Sequence, residues 1–225
     1  MTRTEIAYVL LAFVLSCSLS AGLLPLFSRI CRRAGLGRVG RKLNGLPMLL
    51  AMFLTEIVLF VVAPNACKII NIPLELLAGF LVIVFLGFAC DIDKFSLSTR
   101  IVVLLLGSLA FPVARVCPHG FMGACLVIGM VMAVCLGLAA VVRDGVFGAV
   151  LLLLLVVTLA LISLARGNSS LLMGLGIQAG AIMGFVIYCV CQRANKGQRV
   201  VLGECGSMAM GYVFCTHCMM LLSGV

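Results

Sequence analysis

Eight stretches of the chain, near residues 6–27, 47–63, 73–90, 97–114, 120–142, 146–165, 170–191 and 207–225, run almost free of charge. Each is about as long as an α-helix must be, ~20 residues, to cross the hydrocarbon core of a bilayer. No other feature restricts the fold as strongly. In lipid every backbone N–H and C=O must find a partner inside the protein, so each stretch is expected to be a helix. With 64% hydrophobic residues, 10% charged residues and a mean hydropathy of +1.31, most of the chain's solvent is lipid. The expected fold is an all-α polytopic integral membrane protein of about eight transmembrane helices, a single membrane domain over residues 1–225. The fourth stretch carries the weakest signal, because Ser96, Ser98, Thr99 and Arg100 crowd its start.

The cations predict the orientation. If the N-terminus is outside, the cytosolic loops hold Arg29, Arg32, Arg33, Arg38, Arg41, Lys42, Lys94, Arg100, Arg143, Arg193, Lys196 and Arg199, and only Arg3, Lys68, Arg115 and Arg166 remain on the other side. The positive-inside rule therefore favours both termini outside, in a multi-pass protein of the cytoplasmic membrane. The net charge of +9 is then mainly a topological signal, so nucleic acid is not an expected partner, although juxtamembrane cations also attract anionic headgroups. "VLSCSLSAG" has the small residues of a processing site, but the apolar run continues to Phe27 and ends in a basic cluster, as in a first helix that is retained.

Most of the twelve cysteines lie inside apolar stretches, where a thiol behaves as a small hydrophobe. Cys67 and Cys117 fall on the outer side, and no spacing argues for a bridge between them. "CTHC", Cys215 to Cys218, looks like a metal or redox motif, but it lies within the last span and lacks further ligands.

Acidic residues are scarce and unevenly placed. Glu5 and Glu75 fall at outer helix ends and Glu56 within the second span, whereas Asp91, Asp93, Asp144 and Glu204 all fall at cytosolic helix mouths. Such carboxylates can simply neutralise basic neighbours. They can also converge on a divalent cation, since magnesium takes one or two carboxylates plus substrate phosphates, with Arg and Lys holding the phosphates.

In chain order, four stretches resemble the polyprenyl-phosphate N-acetylhexosamine-1-phosphate transferases. These membrane enzymes move a sugar-1-phosphate from a UDP-sugar to a polyprenyl phosphate, releasing UMP. "GLGRVGRKLNGLP" is similar to a first cytosolic loop ending R-K-x-H-x-x-P, with Arg41, Lys42 and Pro47 matching and Asn44 in place of histidine. "GFACDIDKFSLS" resembles a glycine followed by paired aspartates, with Asp91 as the second and Cys90 in place of the first. "VVRDGVFGAV" keeps Asp144, Gly145 and Gly148 of N-x-x-N-x-x-D-G-x-x-G, while Leu138 and Val141 replace the asparagines. In "GECGSMAMG", Glu204 stands where the family has a magnesium-coordinating aspartate.

The resemblance implies a divergent, C-terminally short member with its active face cytosolic. It implies Asp91 and Asp144 as catalytic residues and Glu204 with Asp91 as ligands of Mg2+. Arg41, Lys42, Lys196 and Arg199 are the residues expected to bind substrate phosphate. The implied partners are polyprenyl phosphate, a UDP-sugar and the bilayer, with a homo-oligomer left open. The family's H-x-H-H loop has no counterpart, since His119 is placed outside and His217 within the bilayer.

Three functions follow as alternatives: a transferase of reduced activity, a catalytically inactive homologue acting as a membrane partner protein, and, ranked last, a transporter. The transporter ranks last because no span is expected to be broken by Pro and the carboxylates gather at one face and not at the midplane, where coupling sites lie. Glu56 is expected to be protonated against a neighbouring helix or to make a polar contact in a lipid-phosphate groove. Gly174, Gly176, Gly180 and Gly184 have the spacing of close helix packing.

Overall fold

The computed structural model describes residues 2–35, 43–62, 74–92, 96–113, 120–141, 146–196 and 200–223. Among them are eight helices: α1 (Arg3–Arg33), α2 (Gly45–Val62), α3 (Leu74–Ile92), α4 (Leu97–Ser108), α5 (Gly120–Val141), α6 (Val146–Arg166), α7 (Ser169–Lys196) and α8 (Gly203–Ser223). A separate helical turn, Ala110–Val113, follows α4. Each of the eight expected stretches holds one helix, and the described residues contain no strand.

All but α4 and α5 are long and apolar enough, over described residues, to span a bilayer. Large apolar side chains face outward, with Phe85 76% exposed and Leu126 and Phe147 each 72%, as suits a surface that meets lipid. The fourth span is shorter than expected. At 12 residues α4 is about 18 Å long, well under the ~30 Å hydrocarbon core. The chain supplies a reason: Pro112 has no N–H to give the Ser108 carbonyl, so the i→i−4 ladder stops there. The Ser108 hydroxyl donates to the Leu105 carbonyl at 2.9 Å at the same break.

Other helices run past their expected ends. The first begins in a capping box, in which Thr2 Oγ1 accepts from the Glu5 N–H and the Glu5 carboxylate accepts from the Thr2 N–H at 2.7 Å. The third and eighth extend enough to matter: Asp91 belongs to the last turn of α3 and Glu204 to the first turn of α8, not to the loops expected for them.

The first and seventh helices run in the same direction. Ser16 and Ser20 of α1 donate to the carbonyls of Ile177 and Ala181 on α7 at 2.8 and 2.9 Å, a constant offset that makes α1 and α7 parallel. Gly180 and Gly184 let these two backbones meet, since a Cβ at Gly184 would lie 2.8 Å from the Ser20 Cβ. This is the close packing expected of small residues where lipid supplies no hydrophobic drive between helices.

Helix α8 lies between two apolar clusters. Met210, Met220 and Leu221 pack with residues of α1, α2, α6 and α7, while Met208, Tyr212, Cys215 and Met219 form a second stripe against α3, α4 and α5. It is the least hydropathic of the six long spans and the most enclosed, because its neighbours are protein and not lipid. His217 is part of this enclosed helix: its Nδ1 lies 3.1 Å from Gln178 Oε1, with no grouping of metal ligands around "CTHC" among the described residues.

Candidate functional site

The start of α8 is where distant stretches of the chain meet. The first N–H groups of any helix have no intrahelical acceptor. Here Asp91, on the last turn of α3, accepts from the Glu204 N–H through Oδ1 at 2.9 Å and from the Cys205 N–H through Oδ2 at 3.0 Å. Asp91 is 3% exposed, and its carboxylate lies at the positive end of the α8 dipole. Backbone contact makes this reach possible. A Cβ at Gly87 would lie 2.9 Å from the Cys205 nitrogen, and one at Gly206 would lie 2.6 Å from the Gly45 Cα. The approach to α8 turns at Gly203, whose φ of 80° is in the left-handed region that favours glycine.

Two further side chains close the junction. Asn44, 4% exposed, donates from Nδ2 to the Val201 carbonyl at 3.0 Å, tying the entry of α2 to the segment before α8. Arg100, on the first turn of α4, pairs with Glu204, with Nη1 2.9 Å from Oε1 and 2.8 Å from Oε2. Their side chains are 24% and 27% exposed, so the pair lies at the rim.

The Asp91 side chain is thus brought to the Glu204 backbone, while the Glu204 carboxylate is turned to Arg100 and not to a shared ion. Asp144, Arg41, Lys42 and Arg199 lie outside the described residues, as do Asp93, Cys67, Cys117 and His119; for Lys196 only the backbone is described. Magnesium does not fit the described residues as they stand. Asp91 gives both oxygens to backbone N–H groups, and a dication at Glu204 would sit against the Arg100 guanidinium. No group of three or more His, Cys, Asp and Glu side chains is gathered among the described residues.

From the sequence alone Arg100 reads as a topological charge and Asn44 as a replacement for histidine. Their partners are set by the approach of α4 and α2 to α8, which no local pattern encodes. Gly45, Gly87 and Gly206 were within the quoted motif stretches, and their recurrence beside the charged positions was the available signal.

No protein-family model matches the chain, and no curated protein sequence matches it.

Proposed function

We propose that the chain is a divergent membrane sugar-1-phosphate transferase of reduced activity, acting on a UDP-sugar and a polyprenyl phosphate at the end of the bundle that carries Asp91, Arg100 and Glu204. One observation supports this best. Three of the four stretches that resemble the transferase motifs, near residues 35–47, 87–98 and 200–212, are joined by side-chain bonds at a single junction. In this reading the basic end faces the cytosol, where Arg29, Arg32, Arg33 and Arg193 sit among anionic headgroups and both substrates arrive. Arg41, Lys42, Lys196 and Arg199 hold the substrate phosphates, and Asp144 completes the acidic set. Phosphoryl transfer is mainly a matter of positioning and charge neutralisation, and Arg100 is the cation already in place. No step is assigned to magnesium; the ion that the resemblance implies enters as a variable of the test.

The test is exchange of labelled UMP into a UDP-sugar pool by the purified full chain, with and without magnesium. Weak exchange is expected. It should fall ~100-fold in Glu204→Gln, the scale for losing one charge-stabilising group, and persist or rise in Glu204→Asp. Equal exchange in all three proteins would overturn the assignment of Glu204.

A second reading, a catalytically silent homologue that serves as a membrane partner protein, is favoured by the Arg100–Glu204 pair itself. That pair sets a guanidinium 2.8 Å from the carboxylate in place of a metal. Under this reading no exchange occurs in the wild type or in Glu204→Asp.

A further inference from the structure

Consecutive in the chain, α2 and α3 are not packed face to face; both lie against α8. Between them is a cavity of about 450 Å³, floored by α7 and α8, in the half of the bundle remote from the Arg100–Glu204 pair. It opens sideways, since Phe53 and Phe60 at its rim are 58% and 67% exposed.

Its lining is apolar with two exceptions of consequence. Glu56 projects from the middle of α2 and makes no hydrogen bond or ion pair with any described residue. A carboxylate within the hydrocarbon region is costly, so residues of this kind generally serve a polar or ionic contact. The second exception is His217. Gln178 Nε2 donates to the Met210 carbonyl at 3.1 Å, which turns Gln178 Oε1 toward His217 Nδ1. That oxygen can only accept, so Nδ1 of the neutral ring carries the proton and Nε2 is left an acceptor. Nε2 points toward Gly174, where an added Cβ would come within 2.7 Å of it, and both residues line the cavity.

A carboxylate, an imidazole acceptor and the rings of Phe53, Phe60, Phe80 and Tyr212 therefore surround one apolar space. Two acceptors suit an N–H donor that carries positive charge, and aromatic faces attract a cation through their quadrupoles. We propose that the gap between α2 and α3 is a binding site for a hydrophobic ammonium ion entering from the lipid, with Glu56 as its counter-ion and His217 Nε2 as a second acceptor. Its compact apolar body replaces the lipid chain that would otherwise fill the gap. This inference does not depend on the proposed transferase function, whose residues lie at the other end of the bundle.

The probes are 1-adamantylamine and its neutral analogue 1-adamantanol, titrated calorimetrically into the full chain in nanodiscs of zwitterionic lipid, with empty nanodiscs as the baseline. Saturable binding of the amine is expected, ~10-fold tighter than that of the alcohol, a ratio equivalent to about 1.4 kcal/mol. Glu56→Gln, nearly isosteric, should remove that preference while leaving the alcohol's affinity unchanged. Phe60→Ala, at an exposed rim position that tolerates truncation, should weaken the amine several-fold more than the alcohol. Equal affinities of the wild type for amine and alcohol would reduce the site to an apolar gap and overturn the proposal. So would undiminished amine preference in Glu56→Gln, or the absence of saturable amine binding.

Discussion

Asp91 and Glu56 are both carboxylates within apolar helices of the same bundle, yet their surroundings are opposite. Asp91 is placed where α8 begins, and its two oxygens complete hydrogen bonds that the helix cannot make for itself. Glu56 faces an apolar cavity and has no bonded partner among the described residues. Glu204 stands between these cases, paired with the Arg100 guanidinium at a partly exposed rim. A buried charge contributes to stability only through the groups that compensate it, so residue type and depth say little until the partners are known.

The comparison can be broken by three substitutions in order of expected effect. Asp91→Ala should be the most damaging, because it leaves two buried N–H groups unsatisfied; a loss of about 3 kcal/mol is expected, from ~1–3 kcal/mol for each orphaned group. Thermal unfolding of the purified chain in detergent would register it, and an unchanged melting temperature would mean that α8 is not anchored through Asp91. Arg100→Gln should matter less, about 1 kcal/mol or under, since both members of its ion pair are partly exposed. A loss as large as that of Asp91→Ala would move the rim pair into the structural core. Smallest of all, Glu56→Gln should change stability by no more than ~0.5 kcal/mol, the scale of substitutions that break no interaction. A marked destabilisation of the empty protein would show that Glu56 has a structural partner after all, and would remove the contrast with Asp91.

Eight helical stretches were legible from the sequence, six of them long and apolar enough over the described residues to span a bilayer, because bilayer thickness imposes a length and lipid imposes apolarity, two signals read locally. Both failed where a local detail intervened. The fourth helix stops before Pro112, and the helices bearing Asp91 and Glu204 extend past the last strongly apolar residue, since caps and side-chain acceptors can support polar turns at a helix end. The small-residue spacing on α7 announced close packing, but not that α1 would be the partner nor that Ser16 and Ser20 would reach across to its carbonyls.

The placing of Asp91 and Glu204 at helix ends was likewise visible, through their positions beside apolar stretches. Their use was not. Whether Asp91 caps a helix or binds an ion depends on how closely α3 approaches α8, and the backbone contacts at Gly45, Gly87 and Gly206 decide that distance. The cavity beside Glu56 was invisible for the same reason: it arises because α2 and α3 each pack on α8 without packing on each other. What the sequence determined alone was the solvent, the helices and the clustering of charge, all consequences of one-dimensional pattern. The tertiary structure decided which charges are compensated, because compensation needs atoms within about 3 Å of one another, and residues 113 positions apart in the chain, such as Asp91 and Glu204, acquire that distance only when the bundle closes.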